Sequence, residues 1–229
     1  MPYSNSSDSK ENTLYTTQAE EFSKTRTAPW SGWLELVKKG FIKPNNSYSI
    51  LDLGCGNGRF LKFVKESAKV ENYLGVDYST LLLSQAKLAG GKVLKLDLDN
   101  TSWQIPKPEI ENDFNFIAAF GIQHHLSSFE IRKYFLQQIA QNLSTDGLAI
   151  ITYWQFLDYD RYKNKITPLK TENDYQMSFG SNQNARFCHY TSQAEIEKLE
   201  ENSGLELIET FKADGRDNTE NIYRIYKKA

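Results

Sequence analysis

Three glycines and two acids form the part of the chain whose spacing points most directly to chemistry. Residues 50–58 read ILDLGCGNG, an apolar run that reaches Asp52 and continues into glycines at alternate positions. Glycine has no Cβ, so a ligand can approach the backbone closely where a strand turns into a helix. Asp77 ends a second short apolar run, YLGVD at residues 73–77. Because a carboxylate at the tip of a neighbouring strand can bind a ribose diol, the pattern predicts a nucleoside site.

The spacing of the glycines narrows the choice of nucleoside. A dinucleotide fingerprint, G-x-G-x-x-G, would need its last glycine where this chain has Arg59. The chain has instead G-x-G-x-G preceded by Asp52, and an acid there suits a cationic ligand. The pattern D-x-G-C-G-x-G followed by Asp77 resembles the S-adenosylmethionine-dependent methyltransferases of the Rossmann-like class, over roughly residues 48–155. The alternative is a glycine turn in an α/β fold that binds no cofactor.

A parallel sheet is needed to bring these residues together. Strand and helix patterns alternate along the chain, and runs such as FIAAF at 116–120 are apolar on both faces. We therefore expect an α/β Rossmann-like methyltransferase fold, with a mostly parallel seven-stranded sheet, helices on both faces and a C-terminal antiparallel hairpin. The expected strands are 48–53, 72–77, 92–96, 114–120, 147–154, 205–212 and 221–227. The expected helices are 17–24, 30–39, 57–67, 79–88, 129–142 (capped by Ser127 and Glu130) and one beginning near Ser192.

The domain prediction is a short disordered tail at 1–12 followed by a single methyltransferase domain at 13–229. Within it, 13–43 is expected to form an N-terminal helical cap. Residues 155–190 are expected to form a substrate lid or insertion, because most of this stretch is polar and aromatic without a helical or alternating pattern.

Composition excludes several functional classes. The net charge is −2, so no overall basic field indicates nucleic acid binding. The two cysteines, Cys55 and Cys188, are far apart and lack metal-ligand spacing, which indicates a reducing compartment without structural zinc. No apolar run reaches the roughly 18 residues of a membrane helix, and no signal-peptide core is evident. We expect a cytoplasmic protein.

Resemblance to the methyltransferase class implies a set of cofactor-binding residues. Asp77 would bind the ribose, Asp97 would accept a hydrogen bond from the adenine amino group, and Leu98 would lie against the base. For Asp97 the alternative is an acid that ends its strand with a turn of its own. The expected cofactor-binding residues are Asp52, Gly54, Cys55, Gly56, Gly58, Asp77, Tyr78, Asp97, Leu98 and Phe120.

Two of the three histidines are adjacent, His124 and His125, just after the expected fourth strand. Ligands of doubly wound sheets gather at that edge, so the pair either lines the methyl-transfer channel or hydrogen-bonds the backbone, with His124 the better pocket candidate. We expect no metal site, because neighbouring side chains of extended chain diverge and no further ligand cluster is visible.

Both ends of the chain resemble one methyltransferase family more closely. The matching motifs are Tyr15-x3-Ala19-x2-Phe22-Ser23-x-Thr25-Arg26-x3-Trp30, Ile122-x-His124-His125-Leu126 and Arg186-Phe187-Cys188-His189-x2-Ser192-x2-Glu195. They resemble the tRNA wobble-uridine carboxymethyl methyltransferases, which in animals accompany an AlkB-like dioxygenase domain. The chain departs from that pattern at Asn115, where an acid is expected, at Gln123, where an apolar residue is expected, and at Cys188, where an aromatic is expected.

The family resemblance implies methyl transfer to the carboxylate of a 5-carboxymethyl uridine in tRNA. An ionised carboxylate needs no general base, so we expect Arg26 and Arg186, with His189, to hold either the substrate's carboxylate or the cofactor's own. His124 completes the expected catalytic set. For both arginines the alternative is a solvated surface position. By the same resemblance, tRNA and a small zinc-bearing activator subunit are the expected partners.

RNA contact would have to come from local basic patches. One is Lys24, Arg26, Lys38, Lys39 and Lys43, and the other is Arg161, Lys163, Lys165 and Lys170 with Tyr162 interleaved. Two other functions remain open at this point. One is a methyltransferase acting on a small-molecule carboxylate, hydroxyl or amine, and the other is a catalytically silent partner protein that keeps the fold.

Overall fold

The computed structural model describes residues 28–106, 113–179 and 184–229. Its α-helices are α1 (Ser31–Lys38), α2 (Arg59–Ser67), α3 (Thr80–Leu88), α4 (Phe129–Asn142), α5 (Asp160–Lys163) and α6 (Gln193–Glu200). Its strands are β1 (Ser47–Leu53), β2 (Lys69–Asp77), β3 (Lys92–Lys95), β4 (Phe114–Ala119), β5 (Leu143–Trp154), β6 (Ile166–Pro168), β7 (Asp174–Phe179), β8 (Asn184–His189), β9 (Leu205–Ala213) and β10 (Asn221–Lys228). The predicted tail at 1–12, the helix at 17–24 and Arg26 lie outside the described residues.

Seven strands form one sheet in the order β3-β2-β1-β4-β5-β10-β9. The first five are parallel, and β10 pairs antiparallel with both β5 and β9. The predicted mostly parallel sheet with a C-terminal hairpin is therefore confirmed. Strand order reverses between β1 and β4, and ligands of doubly wound sheets bind at such a reversal, beyond the carboxyl ends of the strands.

The sheet separates two apolar layers, and β1 supplies both. Leu51 and Leu53 pack into the layer closed by α4 and α6, whereas Ile50 packs into the layer closed by α1 and α2. Successive side chains of a strand point to opposite faces, so a strand covered on both faces reads as one continuous apolar run. Because β1 is buried on both faces, the glycine loop leaves this strand at a fixed position relative to the sheet.

Helix α1 is attached to the sheet through the turn between β9 and β10. Asp214 in that turn accepts hydrogen bonds from the Gly32 amide at 2.9 Å and the Tyr223 hydroxyl at 2.6 Å. Gly32 allows the close approach, because a Cβ there would lie 2.2 Å from a ring atom of Tyr223. The N-terminal cap is thereby tied to the C-terminal hairpin.

Residues 155–190, which we call the insertion, differ most from the prediction. The expectation of a stretch without regular structure is wrong, because the insertion contains α5 and a three-stranded antiparallel sheet in the order β6-β7-β8. This small sheet covers a separate apolar cluster of Phe156, Met177 and Cys188. Polar residues are interspersed along β7 (DYQMSF) and β8 (NARFCH), so neither strand shows the continuous apolar run that marked the strands of the main sheet.

Two smaller expectations also need correction. The N-cap of α4 is Ser128, whose hydroxyl accepts a hydrogen bond from the Ile131 amide at 3.3 Å, and not Ser127. Strand β5 begins at Leu143, four residues earlier than expected at 147. None of the helices in the described part of the chain is long and apolar enough to cross a membrane.

Candidate active site

The loop from β1 to α2 has a backbone that requires glycine. Gly54, Gly56 and Gly58 have φ values of 77°, 54° and 75°. A Cβ on Gly54 would lie 2.8 Å from Ile122, and one on Gly58 would lie 2.9 Å from the backbone of Ala86. Left-handed conformation disfavours larger residues at all three positions, and close packing adds to this at Gly54 and Gly58.

Asp77 lies at the tip of β2 and joins that strand to the glycine loop. Its Oδ2 accepts a hydrogen bond from the Gly56 amide at 2.9 Å, and its Oδ1 accepts one from the Ser79 amide at 2.8 Å. Burial raises the pKa of Asp77, and the backbone hydrogen bonds oppose that rise. Each carboxylate oxygen keeps a second lone pair, so Asp77 can still accept hydrogen bonds from a ribose diol.

The position of Asp52 does not match the prediction that this residue contacts a cationic ligand. The residue is only 2% exposed, and its Oδ2 accepts a hydrogen bond from the Tyr73 hydroxyl at 2.7 Å. Burial raises the pKa of Asp52 from 3.8 to about 7, the hydrogen bond from Tyr73 opposes the rise, and the nearby charge of Asp77 adds to it. Asp52 is thus a buried acid beside the glycine loop, and it can act on a ligand only through its charge.

Cys55, in the same loop, points away from the ligand side. It packs with Leu83 and Ala86 of α3 and is 7% exposed. Burial raises the pKa of its thiol, with further contributions from Asp52 and Asp77. Only the backbone of Cys55 is therefore available for the cofactor-binding role that the sequence predicts.

At the tip of β3, the structure favours the alternative for Asp97. Its Oδ1 accepts a hydrogen bond from the Asp99 amide at 2.9 Å, which is a local turn. The side chain is exposed, so one carboxylate oxygen remains available to the solvent side. Leu98 is only 4% exposed and belongs to the main core, so its side chain is not placed to cover an adenine.

Phe120 also needs correction as a cofactor-binding residue. Its ring packs against Phe60 at 4.9 Å and Trp33 at 5.6 Å between centroids, inside the layer under α1. Tyr78 follows Asp77 directly and is half-buried. The Lys95 ammonium lies 5.4 Å from the centroid of its ring.

The histidine pair lies in a 3-10 turn, Gln123–His125, after β4. The premise that the two side chains diverge is wrong, because that turn brings their ring centroids to 4.1 Å. The His125 Nδ1 lies 3.1 Å from the backbone carbonyl of Phe187 in the insertion. His124 is 8% exposed and packs against Trp154, at 5.0 Å between centroids. The contact of His125 matches the expected alternative of bonding to backbone, and the expectation that His124 lines the channel stays a prediction.

Arg186 lies on β8 of the insertion, two residues before Cys188, so the two side chains share one face of the small sheet. Cys188 Sγ lies within 4.8 Å of ring nitrogens of His124 and His125. The insertion therefore brings the half-buried Arg186 to the same side of the fold as the histidine pair. Arg26, the other arginine candidate, lies outside the described residues.

His189 faces the opposite way, which corrects its expected role in holding a substrate. Its Nδ1 lies 2.6 Å from Asp174 and its Nε2 lies 2.8 Å from Glu195. Glu195 is also paired with Arg132 at 2.8 Å. Hydrogen bonds from His189 and the charge of Arg132 lower the pKa of Glu195 against the effect of burial. The Nδ1 contact thus lies within the insertion, whereas the Nε2 contact joins the insertion to α6 and, through Glu195, to Arg132 of α4.

An aromatic wall beside the histidines was not predicted. Trp154, the last residue of β5, packs on His124 and on Tyr162 of the insertion, at 5.0 Å in each case. Glu220 accepts hydrogen bonds from Trp154 Nε1 at 3.2 Å and from the Tyr162 hydroxyl, and it pairs with Arg161. The rule that ligands gather at the carboxyl ends of strands would have identified Trp154 had it been applied to β5, whereas the contacts of Glu220 depend on tertiary structure.

Two departures from the family pattern have structural explanations. Asn115 joins β4 to β1 near the amino ends of the strands, accepting a hydrogen bond from Ser49 N at 2.9 Å and donating to Ser47 O at 3.1 Å. It lies near the amino end of β4, at the end of the strands opposite the glycine loop. Gln123 is fully buried; its Oε1 accepts a hydrogen bond from Thr191 at 2.7 Å, and its Nε2 has no partner among the described residues.

The two basic patches are less positive than the sequence indicates. Arg161 pairs with Glu220 and Lys163 pairs with Asp160 at 2.6 Å. In the N-terminal patch, Lys38 pairs with Glu35 and Lys39 pairs with Glu209. The Lys43 amide bonds to Tyr48 at the start of β1, at 2.8 Å, so this patch extends toward the edge of the sheet opposite the glycine loop.

The site fits the cofactor that the class uses. Left-handed glycines leave the backbone accessible, Asp77 retains acceptor capacity for a ribose, and both lie at the reversal of strand order. Within this cleft, Gly54, Gly56, Gly58, Asp77 and Tyr78 would hold the nucleoside. Fold and site together define the class of S-adenosylmethionine-dependent methyltransferases.

Comparison with known proteins agrees with this class. A family model described as a methyltransferase domain matches residues 22–210. An Encephalitozoon cuniculi protein that carries the name of a methyltransferase is 23% identical over 198 residues, covering 86% of this chain and 87% of that protein. The tRNA (carboxymethyluridine(34)-5-O)-methyltransferase of Arabidopsis thaliana is 28% identical over 163 residues, covering 69% of this chain but only 36% of the relative. The chain therefore spans just over a third of the Arabidopsis protein.

Among solved structures, an S-adenosylmethionine-dependent methyltransferase from Clostridium acetobutylicum has the same fold, with a TM-score of 0.67 at 15% identity, over 94% of this chain and 99% of that one. The chain belongs to the methyltransferase domain family. It is an S-adenosylmethionine-dependent methyltransferase.

Proposed function

We propose that this methyltransferase transfers a methyl group to the carboxylate of a 5-carboxymethyl uridine at the wobble position of a tRNA, giving the methyl ester. The observation that carries the proposal is the position of Arg186, which the insertion brings to the side of the histidine pair. The Arabidopsis relative, named for this reaction, supports the choice of acceptor at 28% identity.

A carboxylate acceptor needs orientation more than it needs proton transfer. It is ionised at neutral pH, so no side chain has to remove a proton from it. Bound S-adenosylmethionine supplies a methyl group activated by a sulfonium. A guanidinium such as that of Arg186 can hold both oxygens of a carboxylate through parallel hydrogen bonds. Orientation of this kind can contribute several kcal/mol, up to about 7–11 in favourable intramolecular cases. His189, with both nitrogens engaged, is not required as a base.

The aromatic wall supports a planar acceptor. Trp154 is only partly buried, and its ring lies between His124 and Tyr162. Unpaired bases of RNA loops bind proteins by stacking on such rings.

Few positive charges remain for the phosphates of a tRNA. Arg161 and Lys163 are paired with acids, which leaves Lys165 and Lys170 as the contacts that we propose in the insertion. We propose that a partner subunit supplies further contacts, and the family resemblance points to a small zinc-bearing activator. This predicts that the purified chain binds the cofactor but needs added cell extract for rapid transfer to tRNA.

The test uses tRNA whose esters have been hydrolysed by mild alkali, which regenerates the proposed carboxylate. The protein, alone and with cell extract, is incubated with this tRNA and methyl-tritiated cofactor. We expect tritium in the tRNA that mild alkali then releases as volatile methanol. Alkali-stable label would refute a carboxylate acceptor, and label confined to small molecules would refute tRNA.

Variants of Arg186 connect the reaction to the site. Arg186→Lys keeps the charge but loses the two parallel bonds, so kcat/KM for the acceptor should fall by roughly 10–150-fold, equivalent to about 1.5–3 kcal/mol. Cofactor affinity should not change. Arg216→Lys, in the exposed turn between β9 and β10, is the matched control. An equal loss of cofactor affinity would place Arg186 on the cofactor instead.

A small-molecule acceptor is the second candidate, and the neutralised basic patches favour it. Binding to bulk tRNA at low ionic strength distinguishes the two, because phosphate contacts are strongest there. Absence of tRNA binding, with and without extract, would favour a small carboxylate, hydroxyl or amine.

A further inference from the structure

Three metal-ligating side chains from distant parts of the chain meet beside the active site. His124 and His125 come from the 3-10 turn after β4, and Cys188 comes from β8 of the insertion. One potential ligand atom from each lies within 4.8 Å of the other two. We propose that these three side chains form a binding site for one divalent transition-metal ion of the Zn²⁺ class. This inference does not depend on the identity of the methyl acceptor.

The separation of the donors is close to that of a metal site. Zinc lies roughly 2.0–2.1 Å from histidine nitrogen and about 2.3 Å from cysteine sulfur. In a tetrahedral arrangement these lengths place the donor atoms about 3.4–3.6 Å apart. The present upper limit of 4.8 Å therefore requires an inward movement of about 1 Å, which side-chain rotation can supply.

The orientation of His125 matches that of a metal ligand. A backbone carbonyl can only accept a hydrogen bond, so the contact with Phe187 O at 3.1 Å assigns the proton to Nδ1. The lone pair is then on Nε2. Histidines that bind metals usually donate their other ring nitrogen to a carbonyl or carboxylate in this way. Phe187 is adjacent to Cys188, so one short stretch of β8 both supplies a ligand and orients another.

The donor set and its surroundings select among metals. One sulfur and two imidazole nitrogens suit zinc, cobalt or copper, whereas magnesium and calcium prefer oxygen. Cys188 is fully buried and His124 is 8% exposed, so the ion would be largely shielded from solvent. When the metal–sulfur bond forms, the Cys188 thiol gives up its proton to the buffer.

Three protein ligands leave a fourth position in a tetrahedral site. Water or an anionic group on the acceptor side, where Arg186 lies, can occupy it. The bound ion would join the tip of β4 directly to the insertion. We therefore expect it to stabilise the folded insertion by mass action, in addition to any effect on turnover.

Titration with Co²⁺ under a non-thiol reductant tests the site in the full chain. We expect one ion per chain, a sulfur-to-cobalt charge-transfer band in the near ultraviolet and the strong visible bands of four-coordinate cobalt. Zn²⁺ should displace the cobalt and Mg²⁺ should not. A folded protein without the charge-transfer band would overturn the proposal.

Because the chain has only two cysteines and three histidines, a few variants assign the ligands. Cys188→Ser should abolish the charge-transfer band, and His125→Asn should weaken Co²⁺ binding at least tenfold. Cys55→Ser, at the other buried cysteine, is the matched control and should retain the band. Circular dichroism establishes that each variant is folded; should Cys188→Ser fail to fold, Cys188→Ala replaces it. A band that persists without the Cys188 thiol, or that disappears in Cys55→Ser, would refute the assignment.

Discussion

Replacing Asp52 by asparagine should stabilise this protein, although Asp52 stands in the glycine-loop motif. The side chain is 2% exposed, and its contact with the Tyr73 hydroxyl at 2.7 Å can be kept by the asparagine oxygen. What the substitution removes is a negative charge that the interior accommodates poorly. Burial raises the pKa of Asp52 from 3.8 to about 7 in the folded chain, opposed by the Tyr73 hydrogen bond and increased by Asp77.

The sign and size of the effect follow from proton linkage. The folded chain holds the Asp52 proton more tightly than the unfolded chain does. The stability from this group is therefore fully present below pH 3.8 and is lost as the pH rises through about 7. A shift of about three units, at roughly 1.4 kcal/mol each, corresponds to about 4 kcal/mol between pH 4 and pH 8. Asparagine does not titrate, so the Asp52→Asn variant should gain this amount relative to the wild type across that range.

Urea unfolding at intervals between pH 4 and pH 8 measures this difference. Asp146→Asn is the matched control, because it makes the same substitution at an exposed aspartate. The stability difference between Asp52→Asn and the wild type should grow steadily with pH, whereas that of the control should stay within about 0.5 kcal/mol. A difference for Asp52→Asn that does not change with pH would refute the reasoning, because it would show that Asp52 titrates similarly in both states.

Cofactor affinity provides a second test of the charge on Asp52. A sulfonium near the glycine loop favours the ionised form of Asp52, so the variant should lose affinity for S-adenosylmethionine at pH 8 and much less at pH 5. S-adenosylhomocysteine, which is the same molecule without the sulfonium charge, should show a smaller loss. Equal losses for both ligands would show that the charge of Asp52 is not felt at the sulfonium.

Three further predictions concern the loop, the ribose acid and the insertion. Gly58→Ala should lower the free energy of unfolding in urea more than Gly40→Ala does. Both glycines have left-handed φ, but only at Gly58 does the added Cβ meet backbone, at 2.9 Å. Equal losses in the two variants would contradict the packing argument. Asp77→Ala should raise the Kd for the cofactor by roughly 10–150-fold in calorimetry, and an unchanged Kd would place the ribose elsewhere. Glu195→Gln should destabilise the chain by about 3–5 kcal/mol, because it leaves the buried Arg132 without its charged partner. Since the pKa of Glu195 is lowered in the folded chain, its contribution is present above pH 4.5 and is lost as the pH falls through the lowered folded-state pKa, so an effect that does not diminish on acidification would contradict this.

The sheet was largely predictable, because its strands are covered on both faces and flanked by helices of ordinary length. The glycine loop and Asp77 were predictable for the same reason, since a turn that leaves a buried strand at a fixed point has few conformations. Asp52 was harder to place. Residues 50–53 are all buried, so the run has no alternation of apolar and polar residues. The sequence therefore does not show which face of the sheet the Asp52 side chain lies on.

The insertion was not predictable at the level of its contacts. Cys188 meets His124 and His125 only because β8 pairs in one register with β7, which places Tyr175 opposite Cys188. A shift of one residue would exchange the two faces and would turn His189, not Cys188, toward the histidine pair. Nothing in the local sequence fixes that register.

The two halves of the active site are therefore held by different forces. The cofactor half depends on backbone conformation, at glycines and at amides bonded to Asp77, and such a site tolerates little change in sequence. The half that we propose to bind the acceptor depends on two carboxylates outside the insertion: Glu195, which contacts His189, and Glu220, which pairs with Arg161. Because Glu220 also neutralises Arg161, a cation that would otherwise be available to phosphate, we expect substitutions that preserve these contacts but alter the rest of the insertion to change the acceptor while the cofactor half stays intact.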